Sequence, residues 1–341
     1  MLPKFPGDKP RDLSKPLEQI RILVDGRLDG QRLDLALTTV LTWRSRASIH
    51  RLIDGGLVQL NGRQSPASRR VRIGDTIVVD VPPNPRATPD PGAGVEFPVL
   101  YEDQWMVVVD KPPGMAVHPS GRHLSGTLLH ALHRRYRNPD DPSRDVVPRL
   151  LHRIDMETSG VVAIGLDEQF HQLVSRQFED RLVGKSYLAV VHGRPTPDEG
   201  TIDRTIVPDT RSTGRLKLTT TDAPDADGLS AVTSYRVLRS NARYSLVELH
   251  PKTGRTHQIR VHMASLGCPL VGDKLYGADE TLFLRQIDGT LGDEDRRQLV
   301  LDRHALHSHS LRFHHPMLDR EMTVVAPLPR DMAALFGDDR A

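Results

Sequence analysis

Leu150-Leu151-His152-Arg153-Ile154-Asp155-Met156-Glu157-Thr158-Ser159-Gly160-Val161-Val162-Ala163-Ile164-Gly165 is the stretch on which the reading of this chain turns. Apolar residues lead in, a polar elbow follows, and a β-branched apolar run leads out, the pattern of a loop feeding a buried strand. The elbow presents a carboxylate, Asp155. Two hydroxyls, Thr158 and Ser159, and a cation, Arg153, lie close enough in sequence to orient it or keep it ionised. A carboxylate so placed suits a nucleophile.

Upstream, Val99 to Asp103 turns into a strand, Trp105 to Asp110, that exits through Lys111-Pro112-Pro113-Gly114. Alone, that exit is only a turn. Downstream, the two-residue period of Lys185-Ser186-Tyr187-Leu188-Ala189-Val190-Val191 puts Lys185, Tyr187 and Ala189 on one face and Ser186, Leu188 and Val190 on the other. Thr256 is placed to cap a helix running from His257 through Ala264 to a stop at Gly267, with Arg260 in its first turns. No repeat and no regular βαβ alternation runs through 96–330, so an α+β domain with a mixed, largely antiparallel sheet is expected there. The polar stretches Pro197 to Asp227 and Ala278 to Gln298 read as mobile loops.

The N-terminal part reads differently. Residues 1–17 carry prolines and alternating charge with no hydrophobic period, and are set apart as a tail. Within 18–81, Arg32 to Leu37 opens one short helix and Ser45 to Ile53 forms a second, ended by Gly55-Gly56. Leu57 to Leu60 is a strand turned by Asn61-Gly62, the pair best suited to a tight hairpin, and Val71 to Val81 supplies another strand, interrupted at Gly74-Asp75. From residue 31 to 80, eight arginines face four aspartates, a segment net basic by four. The Pro-rich stretch 82–95 reads as a linker and 331–341 as a C-terminal tail.

The whole chain of 341 residues has a net charge of +2, too mild to announce a nucleic-acid partner without that local clustering. No stretch approaches the ~18 consecutive apolar residues of a membrane helix, and the first residues lack a signal-peptide core, so a cytoplasmic protein is expected; a monomer is expected as well. The single cysteine, Cys268, excludes an intrachain disulfide and argues against a cysteine zinc site. His304, His307, His309, His314 and His315 invite a metal reading, but strand alternation puts His307, His309, Leu311 and Phe313 on one sheet surface without a ligand set. No metal and no cofactor is expected.

Two resemblances organise these observations. Residues 31–80 resemble the S4 RNA-binding module in the ordered landmarks Arg-Leu-Asp, Ser-Arg, Gly-Leu-Val, Asn-Gly and Gly-Asp, which implies that Arg44, Arg46 and Arg51 meet RNA phosphates. The elbow resembles the catalytic motif of the RluA/RluD family of pseudouridine synthases, His-Arg-Leu-Asp followed by Thr-Ser-Gly, with Ile154 in place of leucine. Further matches lie in order at Lys111-Pro112-Pro113-Gly114, at Lys185 to Val190, at Gly254-Arg255-Thr256-His257-Gln258-Ile259-Arg260-Val261-His262 and at Gly272-Asp273-Lys274-Leu275-Tyr276-Gly277. The resemblance implies isomerisation of uridine to pseudouridine in RNA, with Asp155 as nucleophile, Tyr187 in proton transfer or stacking, and Arg260 paired with Asp155. It leaves open whether the aspartate attacks sugar or base. Arg153 is the candidate to fill the gap left by the extruded base, Arg255 and His257 to hold the backbone, and Ile259 to touch the flipped base.

Ribosomal RNA of the large subunit is the expected substrate, with transfer RNA as an alternative and a non-catalytic S4-type RNA-binding protein as another. A glycosidase using Asp155 and Glu157 fits less well, since residues two apart rarely oppose across a substrate. Removing residues 1–81 is expected to weaken RNA affinity without abolishing the chemistry, as measured by parallel binding and product assays. Unchanged affinity would contradict the RNA-binding reading of that segment.

Overall fold

A computed structural model of the chain describes residues 19–41, 46–81, 94–119, 125–138, 140–141, 143–212, 217–223 and 227–337. The expected tail 1–17, Arg44 and most of the linker 82–95 lie outside them. Two compact units are present, drawn from residues 1–95 with 118–147 and from residues 96–117 with 148–341. Among the described residues no helix is long and apolar enough to cross a membrane.

The first unit contains β1 (Gln19–Leu23), α1 (Leu33–Val40), α2 (Arg46–Asp54), β2 (Val58–Leu60), β3 (Arg63–Gln64), β4 (Thr76–Asp80) and α3 (Leu128–Tyr136). Its antiparallel sheet has the order β1-β4-β2-β3. Strand β1, absent from the sequence reading, alternates buried Ile20 and Ile22 with exposed neighbours. The strand expected from Val71 to Val81 is confined to β4. Asn61 and Gly62 both take positive φ, 51° and 75°, the geometry that lets a two-residue turn follow the strand twist. Leu33, Ala36, Leu37, Ile49 and Leu52 of the helices pack on Ile77 and Val79.

Asp34 is fully buried and draws in Arg32 at 3.0 Å, Arg46 at 2.9 Å and His50 at 3.2 Å, tying α1 to α2. Its carboxyl is held far below the usual range, first by Arg32, with Arg46 adding to the effect against the cost of burial. Arg46 gives Nη2 to that buried carboxylate while its side chain stays largely exposed, and Arg51 stands exposed on α2.

The second unit is built on an eleven-stranded sheet of β5 (Val99–Glu102), β6 (Met106–Lys111), β7 (Arg149–Leu150), β8 (Ser159–Gly165), β9 (Gly184–His192), β10 (Glu199–Pro208), β11 (Leu218–Thr221), β12 (Leu229–Ser240), β13 (Tyr244–Pro251), β14 (Leu306–His315) and β15 (Arg320–Val325). The order is β11-β10-β12-β13-β9-β14-β8-β6-β5, with β15 on β14 and β7 on β8. Every pairing is antiparallel except β8 with β14. Helices α4 (Glu168–Glu179), α5 (Gln258–Ser265), α6 (Thr281–Asp288), α7 (Asp293–Leu299) and α8 (Arg330–Ala333) accompany the sheet. Phe170 and Val174 of α4 pack against Val108, Val161, Ala163 and Phe313. Ile259 and Met263 of α5 pack with Ala189, Val247, Leu249 and Cys268.

Four expectations need correction. The stretch 197–227 includes β10 and β11, and 278–298 includes α6 and most of α7. β10 buries only Ile202 and Ile206 and depends on an eight-residue ladder with β12, so its pattern is too sparse to read. α6 and α7 are short and bury few residues, Leu282 in the first, Asp295 and Leu299 in the second. The supposed tail is packed through residue 336, where Met332 is fully buried and Arg303 grips Asp331 at 2.7 Å. The histidines of β14 do not sit on an open sheet surface: His307 is fully buried, and both His307 and His309 reach the Ala326 carbonyl, at 3.3 and 2.8 Å.

The parallel contact of β8 with β14 explains Gly160. Its φ is +107°, and a Cβ there would stand 2.2 Å from the Ser308 carbonyl oxygen. Gly160→Ala is expected to cost about 3 kcal/mol, from backbone strain plus displacement of β14. A urea midpoint lowered at unchanged slope would show it.

Candidate active site

Asp155 sits in the loop between β7 and β8, where the Thr158 amide closes a turn onto the Asp155 carbonyl at 3.1 Å. The Lys-Pro-Pro-Gly turn proves to be part of this support. Lys111 is fully buried and its ammonium donates to the carbonyls of Pro112, Met115 and Met156 at 2.8, 2.9 and 3.0 Å, while the Gly114 amide donates to Met156 at 2.9 Å. Burial, with a push from Arg303, lowers the Lys111 pKa to about 7, although Asp155 and Asp110 act the other way.

The hydroxyls of Thr158 and Ser159 do not orient the carboxylate, as their proximity in sequence had suggested. Both are buried and turned toward the strand region after residue 300: Thr158 Oγ1 lies 2.8 Å from His304 Nε2, and Ser159 Oγ lies 2.9 Å from His307 Nδ1. Glu157 accepts from Lys274 and Gln286, both at 2.9 Å, and from the His304 amide at 3.1 Å. So engaged, it cannot serve as a second catalytic carboxylate.

Arg260 supplies the orientation. Its Nε and Nη2 donate to the two oxygens of Asp273 at 2.7 and 2.8 Å, its guanidinium carbon lies 4.9 Å from the Tyr276 ring centre, and its Nη1 reaches Asp155 Oδ2 at 3.3 Å. The arginine side chain is 8 % exposed and that of Asp155 29 %, so the carboxylate keeps an open side. Burial pushes the Asp155 pKa up, but His257, Arg260 and His304 outweigh it and leave the group below its ordinary value. Burial holds His304 to about 4 and, with Arg260 alongside, keeps His257 below its usual range. Both imidazoles are neutral at pH 7, and Arg260 is the charge that persists.

The helix bearing Arg260 starts one residue later than expected. His257, not Thr256, is the cap, in a left-handed conformation (φ 56°) without a side-chain capping bond. The start is held instead by Gln258, whose side chain accepts from Thr253 Oγ1 and the Arg255 amide and donates to Val232 and Thr233. His257 is thereby turned so that Nδ1 lies 2.9 Å from the Tyr276 hydroxyl.

A cleft of about 460 Å³ opens over Asp155, and Arg153, Tyr187, Arg255, His257, Ile259 and Arg260 all line it. Seven of the ten residues singled out from sequence therefore meet in one place, counting Asp155. Arg44 lies outside the described residues, and Arg46 and Arg51 belong to the first unit. Burial raises the Tyr187 pKa to about 12, Asp155 adding to it and a hydrogen bond with Ser308 opposing it, so the ring is a neutral phenol. Asp273, Tyr276, Lys111 and His304 were missed as supporting residues, although Asp273 and Tyr276 stand in a motif already visible in the sequence.

Comparison with known proteins shows the family of the chain. The RNA pseudouridylate synthase family model matches residues 105–265. An RNA pseudouridine synthase of Bacillus subtilis, YlyB, is 34 % identical over 320 residues, covering 94 % of this chain and 98 % of its own. A protein of Xanthomonas campestris named ribosomal large subunit pseudouridine synthase D is 36 % identical, covering 95 % and 94 %. The structure of human RNA pseudouridylate synthase domain containing 4 superposes with a TM-score of 0.54 at 28 % identity, over 69 % of this chain and 90 % of that one. The chain belongs to the RNA pseudouridine synthases of the RluA/RluD type. It is an isomerase acting on RNA.

Arg260→Gln is expected to raise the Asp155 pKa, since the opposing cation is lost, and to move the acid limb of the pH–activity profile upward. It also strands Asp273 and should cost about 3 kcal/mol of stability, measurable by denaturation. An acid limb at the wild-type pH would refute the pairing.

Proposed function

We propose that the chain converts uridine to pseudouridine in large-subunit ribosomal RNA, through a covalent step at Asp155 on a nucleotide flipped into the cleft. The observation that carries this reading is the Asp155 carboxylate, open to the cleft on one side and backed by Arg260 on the other. The ribosomal target is supported by relatives named ribosomal large subunit pseudouridine synthase D in Xanthomonas campestris and Zymomonas mobilis.

The isomerisation breaks the bond from uracil N1 to ribose C1′, turns the base, and forms the bond from C5 to C1′, after which C5 loses its proton and the freed N1 gains one, so that no atom is lost or added overall. Asp155, ionised at neutral pH, forms the covalent adduct, splitting one difficult substitution into two steps. Arg260 keeps the carboxylate charged until it attacks. Tyr187, a neutral phenol on the cleft wall, offers a ring face to the uracil and can relay a proton only as another group accepts one. Ile259 gives the base an apolar contact. Arg153, exposed and two residues from Asp155, takes the place of the extruded base, and Arg255 and His257 hold the neighbouring backbone. In the first unit, Arg51 and the basic segment around it add affinity for structured RNA in the manner of an S4 module.

Asp155→Asn keeps the side-chain shape and should abolish pseudouridine formation while leaving RNA binding within about threefold. Mapping of pseudouridines in RNA from cells with and without the gene tests the target, the expected result being one or a few sites lost from large-subunit ribosomal RNA. Full activity of the Asn variant would sink the nucleophile assignment.

A further inference from the structure

Helix α4 ends where the chain turns left-handed at Arg181, with φ of 60°. The Arg181 amide donates to the Phe178 carbonyl at 3.2 Å, and the Leu182 amide reaches back to Gln177 at 2.9 Å. This double closure ordinarily takes glycine or asparagine, because a Cβ at positive φ crowds the next carbonyl. A long cationic side chain stands there instead. It is exposed and lines the cleft over Asp155.

Lys185, near the start of β9, lines the same cleft, and its ammonium is 4.0 Å from where a Cβ on Gly254 would stand. Two groups near it give it no counter-charge. Arg181 is a second cation, and His152 is neutral, its Nε2 accepting from the Ala163 amide at 3.0 Å and its ring stacked on Phe178 at 5.2 Å. Glu179 also lines the cleft, yet among the described residues neither Arg181 nor Lys185 forms an ion pair with it or with any other carboxylate. Burial and Arg181 together lower the Lys185 pKa.

We propose that Arg181 and Lys185 form a phosphate subsite that holds one phosphodiester of the RNA strand beside the target uridine. The proposal rests on the RNA-modifying reading above and adds to it two residues and a ligand group. Two like charges set together without an acid oppose each other in the free protein, and a single anion between them relieves both. A nucleotide turned into the cleft remains joined to the strand by a phosphate on each side, so an anion must pass the cleft walls. The strained position of Arg181 has the same sense: a residue with poor backbone fit brings a charge to the cleft that glycine would lack.

The test compares the full-length chain with Lys185→Gln, Lys185→Arg, Arg181→Gly and, as a charge control, Arg297→Gln on exposed α7, where Arg297 pairs with Glu294. Pseudouridine formation is followed on total RNA from cells lacking the gene at several KCl concentrations, and melting temperatures are recorded in parallel. In Lys185→Gln and Arg181→Gly the half-saturating RNA concentration should rise about five- to tenfold, more than turnover falls. The salt slope of log affinity should flatten by about 0.7 for the lost contact. Lys185→Arg should recover most of the affinity. Arg181→Gly should melt at the wild-type temperature or above it, since glycine accepts the left-handed turn. If an active wild type is matched by both Lys185→Gln and Arg181→Gly in half-saturation and salt slope, the subsite is overturned and the activity stands. If the wild type itself forms no pseudouridine, both readings fall.

Discussion

One buried cation, shared unequally by two carboxylates, underlies the architecture around the cleft. Arg260 is nearly sealed from solvent, and a charge so placed is tolerable only when compensated. Asp273 supplies the compensation through two parallel hydrogen bonds, and also accepts the amides of Leu275 and Tyr276, both at 3.0 Å. Asp155 receives only the remaining Nη1, at a longer distance. This inequality has a chemical meaning. A loss of charge at Asp155 would not strand the arginine, because Asp273 still satisfies it.

The elbow bearing Asp155 is anchored from outside its own sequence. Lys111 collects the Met156 carbonyl together with those of its own turn, His304 and His307 hold the hydroxyls of Thr158 and Ser159, and Lys274 and Gln286 hold Glu157. Each residue following Asp155 thus has a partner in another element. The polar character of Glu157-Thr158-Ser159 is accounted for by these anchors, while Asp155 itself stays open to the cleft.

Much of this was legible because it is local. The β-branched run after the elbow forms β8, Asn61-Gly62 forms its hairpin turn, and the alternation in β9 puts Lys185 and Tyr187 on the same cleft wall, since a strand admits no other outcome. What was not legible depends on long-range pairing. The partner of Arg260 is thirteen residues away, beyond the end of its helix, and no spacing rule selects Asp273. The hydroxyls near Asp155 looked like its ligands because sequence distance was the only measure at hand, whereas their bonds run to histidines nearly 150 residues on. The cap of α5 was misplaced by one residue because the chain enters the helix through a left-handed His257 with no side-chain cap, the preceding turn being tied instead by Gln258 to Thr253 and the Arg255 amide. Helices α6 and α7 bury too few apolar residues to leave a periodic signature.

The pairing of β8 with β14 joins Ser159 and Gly160 to His307 and Ser308 across most of the second unit. Such contacts form late and slowly, since a long stretch of chain must be closed before any of them is made. During synthesis, the polypeptide that has emerged as far as Arg260 already carries Asp155 and its arginine but lacks Asp273 and the two histidines. The groups that compensate Arg260 and anchor the elbow are therefore complete only once the strands after residue 300 are in place.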